Sequence, residues 1–275
     1  MKKRTKKKIG IAICAAIAAI AAYNVYTIRV EYAKAGSEYA DVAGAVYMAE
    51  EEAKAIPVEE TVSGDSDFSF DAEDPQYDIG TYPNLVIDHE ALKKTNPDYL
   101  GWLYVPCLEI SYPVVQGEDN DYYLHHTFED TENISGCIFI DAKCEPDMSS
   151  YNTFVYGHNM KNGSMFGSLR KLLTNGALIK EDPYVYFYTA DGVYAYRTYS
   201  YHRVPPKSGY FAYVKTHQEY SEYVDMALSD RLEDMDTSVD KRKNSIVLST
   251  CNGSGESKQR LVIHAINIGY YKPAE

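Results

Sequence analysis

Residues 245–268 read SIVLSTCNGSGESKQRLVIHAINI, and the interpretation of the whole chain turns on them. Two apolar, β-rich runs, Ile246-Val247-Leu248 and Leu261-Val262-Ile263, flank a polar loop containing glycine, the pattern of two strands and their connection. Cys251 stands where the first strand ends and Arg260 where the second begins. If the strands are neighbours, a thiol and a guanidinium face each other at one end of a sheet. A fixed cation favours the thiolate, the nucleophilic form. The same cation can hold the oxyanion that forms when a carbonyl is attacked. Such a nucleophile needs a proton-transfer partner, so a histidine has to be found elsewhere in the chain.

Working outward, the sequence before this stretch offers a series of short β-like runs at 101–105, 110–116, 136–141, 153–156, 184–189 and 193–201. With the two closing strands they make about eight, separated by turn signals such as Ala190-Asp191-Gly192, which points to a barrel or sandwich. Asp88 is placed to cap a short helix through Lys94, and helical pieces are expected at 164–173 and 217–228. The 27 tyrosines, against 8 phenylalanines and 1 tryptophan, suit half-buried strands.

Charge is uneven. Six of the first eight residues are basic, which leaves 21 basic against 40 acidic residues, −19, for the remainder. An acidic body lacks the Lys/Arg clusters that phosphate contacts demand, which excludes nucleic-acid binding. The basic start precedes an apolar run from Ile9 to Ala22 that continues weakly to Ile28, about 20 residues and enough to span a bilayer. Lysines ahead of it predict a cytoplasmic N-terminus and an external body. A cleaved signal peptide is the competing reading, with Ala19-Ile20-Ala21 as a cleavage-like site. The expected organisation is a basic tail over 1–8, an anchor over 9–28, a helical stalk and acidic linker over 29–84, and a folded domain over 85–275. Within the stalk, an exposed helix is expected over 31–56 and a flexible linker over 57–80.

Of the five cysteines, Cys14 lies in the apolar run, and no CxxC or zinc-type spacing occurs. Cys107, Cys137 and Cys144 are either disulfide partners in an extracellular body or small buried thiols. Among seven histidines, His125 and His126 read as a helical turn on the barrel. His89, His202 and His217 read as surface residues, and His264 as part of the last strand. His158 differs: it follows the run Thr153-Phe154-Val155-Tyr156, Gly157 before it permits tight backbone geometry, and Asn159 after it can orient a ring.

The sequence Leu248-Ser249-Thr250-Cys251 with Arg260 nine residues on resembles the active-site signature of sortases. Tyr156-Gly157-His158-Asn159-Met160, followed by Gly163-Ser164-Met165-Phe166-Gly167, is similar to the class B histidine segment. Gly101-Trp102-Leu103-Tyr104-Val105-Pro106, Tyr112-Pro113-Val114-Val115-Gln116-Gly117 and residues 120–126 also resemble class B. The resemblance implies a mainly β fold: a closed eight-stranded sortase-type barrel with N-terminal helices and a helix before the seventh strand. It implies a Gram-positive surface enzyme with an uncleaved anchor and an extracellular catalytic domain.

The implied activity is transpeptidation without a cofactor. Cys251 attacks a Thr–Gly-type bond in a C-terminal sorting signal to form a thioester, His158 transfers protons, and Arg260 stabilises the oxyanion. The acceptor is an amine of a peptidoglycan precursor or, in a pilin-linking relative, a pilin lysine. By similarity, Asn120 and Leu124 line one wall of the signal groove, Tyr210 and Phe211 the other, and Ser249 lies near the nucleophile. A hydrolytic thiol peptidase is an alternative, and a non-catalytic wall-binding barrel another that the intact Cys251, His158 and Arg260 weigh against. No calcium-type acidic cluster is present. The acidic residue that some relatives carry just after the cysteine is missing, with Glu256 a substitute.

Overall fold

A computed structural model of the chain describes residues 2–57, 79–235, 238–251 and 259–273, with side chains from residue 8 onward. Most of 57–80, and Glu256, lie outside the described residues. The chain opens with a 42-residue helix, α1 (Lys2–Ala43), built on Ala-rich sequence of high helix propensity. Its part from Lys8 onward is long and apolar enough to cross a membrane by length and composition. Ile11, Ile13, Ile17 and Ile20 project from it without packing on the body.

The last turns of α1 do pack. Ala35 and Val42 are buried, and Tyr32 and Tyr39 lie half-buried against the core, a face at helical spacing. The helix expected over 31–56 therefore ends early. After Ala43 come two short strands, β1 (Val46–Met48) and β2 (Ala53–Lys54), which pair antiparallel with β4 (Leu85–Ile87) and β3 (Thr81–Tyr82). Helix propensity over 44–56 loses to these edge pairings, which depend on residues about thirty to forty positions later in the chain.

Asp88 caps α2 (His89–Thr95) by accepting from the Ala91 N–H, as its position predicts. The eight strands that follow are β5 (Tyr99–Val105), β6 (Ile110–Val115), β7 (Ile138–Ile140), β8 (Asn152–Gly157), β9 (Tyr184–Tyr188), β10 (Val193–Val204), β11 (Ser245–Thr250) and β12 (Arg260–Tyr271). They close into a barrel in the order β10-β12-β11-β8-β7-β6-β5-β9. The expected eight-stranded barrel is what the chain forms. Closure removes the sheet edges, and both faces of the barrel wall carry buried side chains, among them Trp102, Leu103, Phe154, Phe187 and Val247.

Two pairings are parallel, β6 with β7 and β8 with β11, and these set the site. Parallel neighbours require crossover connections. One crossover carries α3 (Tyr122–His125) between β6 and β7. The path from β8 to β9 carries a 3-10 helix (Phe166–Leu173) and α4 (Ala177–Glu181). The path from β10 to β11 carries a 3-10 turn (Gly209–Phe211) and α5 (His217–Ser229). Helix α5 thus precedes the seventh barrel strand, as expected, and buries Tyr220, Tyr223, Val224 and Ala227 at i, i+3, i+4 and i+7.

Candidate active site

Because β8 and β11 run parallel with Thr250 opposite Gly157, they end at the same rim, and the next residues are His158 and Cys251. The Cys251 N–H donates to the Gly157 carbonyl at 2.8 Å, continuing the ladder past the last strand residue. On the other side, β12 runs antiparallel with Ser249 opposite Val262, and that register carried two residues further sets Cys251 opposite Arg260. The Leu261 N–H donates to Thr250 Oγ1 at 3.0 Å and pins the start of β12 to the end of β11. Residues 158, 251 and 260 therefore come from three adjacent strands, whose spacing is about 4.8 Å. The Arg260 guanidinium lies 5.0 Å from the Phe211 ring centroid, a cation–π contact that holds it at the rim.

Cys251 is only 8% exposed. Burial pushes its thiol up to about 12, while Arg260 and a backbone hydrogen bond with Gly157 pull the other way. The sequence led to the expectation that the cation would favour the thiolate. It acts in that direction, but desolvation outweighs it, so the resting group is a neutral thiol.

The histidine is fixed through its backbone and its ring. The Phe166 N–H donates to the His158 carbonyl at 3.0 Å, and Asn159 bridges to Met165. Gly157 has no room for a side chain: a Cβ would lie 2.4 Å from Ile138 Cδ1 and 2.8 Å from Phe166 Cγ. His158 Nε2 lies 2.7 Å from the Leu124 carbonyl oxygen. A carbonyl can only accept, so Nε2 carries the hydrogen and Nδ1 keeps its lone pair in the neutral ring. Burial lowers the imidazole pKa and His125 acts in the same direction, against the raising effect of the Leu124 bond. The site thus rests as a neutral thiol beside a neutral imidazole. Asn159 does not orient the ring; its Oδ1 accepts from the Arg170 guanidinium, which also donates to the Met160 carbonyl at 2.8 Å. The orienting group is a backbone oxygen.

The remaining candidates fall in different places. Leu124 reaches the site through its carbonyl and packs its half-buried side chain against the core. Asn120 is braced by Asp141, donating to its carboxylate at 2.9 Å while accepting the Ala142 N–H at 2.8 Å. Phe211 lies under Arg260 and 6.3 Å from the Phe154 ring. Ser249 is fully buried in β11, its hydroxyl donating to the Thr250 carbonyl at 3.2 Å. Tyr210 turns inward instead, its ring 4.5 Å from His202 and 5.6 Å from His264. His202, expected at the surface, is buried there, its ring nitrogens facing the carbonyls of Asp230 and Ala227.

Sequence reasoning missed Asp141. This fully buried carboxylate accepts from Asn120, from the Tyr213 hydroxyl and from the Lys143 N–H, tying three loops beside Tyr156. Its only sequence signal was an acid at the end of an apolar strand. All five cysteines are free thiols, which resolves the two readings of Cys107, Cys137 and Cys144 in favour of unpaired side chains. Burial pushes these three up to about 12, 12 and 11 respectively.

The Sortase domain family profile matches residues 103–267, which takes in all three rim residues. The chain is 33% identical over 177 residues to Sortase B of Listeria monocytogenes, covering 62% of this chain and 70% of that protein. It superposes on the X-ray structure of Clostridium perfringens Sortase B with a TM-score of 0.60 at 30% identity, covering 65% of this chain and 98% of that one. A sortase B crystal structure from Bacillus anthracis shares the fold over 88% of this chain with a TM-score of 0.66, at 24% identity. The closed barrel, the helix before its seventh strand, the family profile and these likenesses agree: the chain belongs to the class B sortases, a family of cysteine transpeptidases.

Proposed function

We propose that Cys251, His158 and Arg260 carry out the transpeptidation, with a C-terminal sorting signal as the acyl donor and a peptidoglycan-precursor amine as the acceptor. The observation that carries this reading is the convergence of β8, β11 and β12 at one rim, with Cys251 opposite Arg260 and beside the residue that follows Gly157. Sγ attacks the carbonyl carbon of a Thr–Gly-type bond as His158 Nδ1 takes the thiol proton. The carbonyl oxygen becomes an oxyanion facing the Arg260 guanidinium. Collapse breaks the C–N bond, His158 returns the proton to the leaving amine, and a thioester remains on Cys251. The acceptor amine attacks that thioester, loses its proton to His158, and the thiol is regenerated. A neutral resting pair suits this sequence, because the imidazole starts with an open lone pair and the thiol brings the proton it will shuttle.

Asn120, Leu124, Phe211, Ser249 and Tyr210 are proposed to shape the signal groove; Tyr210 would do so by supporting its neighbour Phe211 from behind. Residues 9–28 are proposed to anchor the enzyme in the membrane, with 1–8 cytoplasmic and the catalytic domain, 85–275, outside and joined through 29–84. The apolar length of α1 supports the anchor.

The test is incubation of the full chain with sorting-signal peptides, with and without a wall-type amine or hydroxylamine. Amine-dependent product that disappears in Cys251→Ala supports the reading. Cleavage indifferent to the amine identifies a hydrolytic thiol peptidase, and turnover that survives in Cys251→Ala rejects the proposed nucleophile.

A further inference from the structure

Helix α1 reaches the candidate active site through the backbone that holds His158. Glu38 accepts from Thr127 Oγ1 at 2.7 Å and from the Glu129 N–H at 2.8 Å. Asn133 Nδ2 donates to the Glu31 carbonyl at 3.1 Å and to its carboxylate at 3.0 Å. The Tyr39 hydroxyl donates to the Gly136 carbonyl at 2.7 Å. Each of these bonds ends in the segment that follows Leu124. That segment folds back tightly: the Asn133 N–H donates to the His125 carbonyl at 2.8 Å and the Cys137 N–H to the Tyr123 carbonyl at 2.9 Å. Gly136, at φ +57°, is so close that a Cβ there would lie 2.8 Å from the Leu124 carbonyl oxygen. That oxygen is the one that receives His158 Nε2–H.

A second route meets the first. The Tyr39 ring packs edge-on against Tyr112, centroids 5.5 Å apart, and the Tyr112 hydroxyl accepts the Met165 N–H at 3.1 Å. Met165 bridges back to Asn159, the residue after His158. The histidine is therefore held from two sides, and both holds lead to one turn of α1.

We propose that Glu38 and Tyr39 are positioning residues for His158, acting through the 124–136 segment and through Tyr112, so that the helix bearing the apolar N-terminal run is part of the machinery that sets the imidazole. This rests on the proton-transfer role proposed above for His158. The physical basis is that small displacements of a proton-transfer group cost large factors in rate, whereas deleting one partly exposed hydrogen bond costs little stability. Loss of the Leu124 bond also has a signed consequence. That bond raises the His158 pKa while burial and His125 lower it, so loosening it moves the histidine-governed limb of the rate profile to lower pH.

The experiment uses the full chain with Tyr39→Phe, which removes one oxygen and keeps the ring, and with Tyr39→Phe combined with Glu38→Ala. Measured are kcat and KM against pH, Tm, and the rate of Cys251 alkylation. The expected result for the double variant is a kcat lower by roughly tenfold with KM changed less than about twofold. The histidine limb shifts downward, and Cys251 alkylation matches the unmodified chain, since β11 is untouched. Replacing Glu38→Ala by Glu38→Gln, which keeps one acceptor oxygen, restores part of the rate. Unmodified kcat and pH limb in the double variant, or a rate loss that merely follows Tm across the set, overturns the inference. If the double variant does not fold, Tyr39→Phe alone decides by the same readings. His158→Ala separates the two levels: normal turnover there removes the proposed role of His158, while an inactive His158→Ala beside unaffected α1 variants removes only the positioning role.

Discussion

The backbone N–H of Cys251 donates to the carbonyl of Gly157 at 2.8 Å, so the thiol-bearing residue is held by the residue that immediately precedes His158. Nucleophile and base candidates are thus coupled through the main chain of two parallel strands, and their relative placement does not depend on long side chains. Gly157 is where this coupling is most exposed to change. A Cβ would meet Ile138 at 2.4 Å and Phe166 at 2.8 and 2.9 Å. Gly157→Ala is expected to cost about 1–3 kcal/mol in urea unfolding. It should also lower turnover by more than the unfolded fraction explains, because both neighbours shift. A wild-type unfolding midpoint would show that the rim accommodates a methyl group.

Thiol reactivity follows from burial. With Cys251 pushed up to about 12, alkylation by iodoacetamide at neutral pH should run about a thousandfold slower than for a free cysteine. It should climb steadily through pH 9 and 10. Peptide mass spectrometry of the modified site against pH gives the profile. A plateau already reached near neutrality would mean the thiolate is stabilised far more than the buried geometry allows.

Arg260→Lys keeps the charge and removes the planar fork of donors. Turnover is expected to fall roughly tenfold or more, with the Tm little changed. Near-normal kcat/KM would take the oxyanion role away from this side chain.

Asp141→Asn leaves one acceptor oxygen where three donors converge and turns an amide toward them. The expected cost is about 1–3 kcal/mol in chemical denaturation, with KM for the peptide raised because Asn120 loses its brace. An unchanged KM at reduced stability would confine Asp141 to the fold.

Stability should also fall in mild acid. The buried imidazoles of His202 and His264 have their pKa lowered, chiefly by desolvation, so the unfolded chain binds protons before the folded one does. Their contribution is complete above the unfolded value near 6.5 and is lost as pH drops through the lower folded values. Tm measured between about pH 8 and 5 should decline, and His264→Gln should flatten the slope relative to the unaltered chain. Parallel slopes would show that His264 contributes nothing to the decline.

Much of this was readable from local sequence, and the particular misses share a cause. The strands of the barrel announce themselves because β-rich runs are cut by turn residues, and α2 because Asp88 stands where a cap must be. His158 was found by its context at a strand end. The group that orients it was not, because a main-chain oxygen at Leu124 has no residue signature, and Asn159 was the nearer but wrong choice. The raised pKa of Cys251 is illegible in the sequence for a related reason. Arg260 is visible in the sequence, whereas the burial that outweighs it depends on the tertiary packing around the end of β11. Tyr210 and Phe211 are adjacent letters, yet a single turn sends one ring toward His264 and the other beneath Arg260.

The unbroken course of α1 has a geometrical corollary. With residues 9–28 in a bilayer, the ten residues from Ile28 to Glu38 amount to about 15 Å of stiff rod. The 124–136 segment, bonded to Glu38 and Tyr39, would then be held at a fixed distance from the bilayer instead of swinging on a tether. A client whose own tail is embedded in the same leaflet would be met at that altitude, and its spacer length would decide whether the scissile bond arrives level with the sulfur.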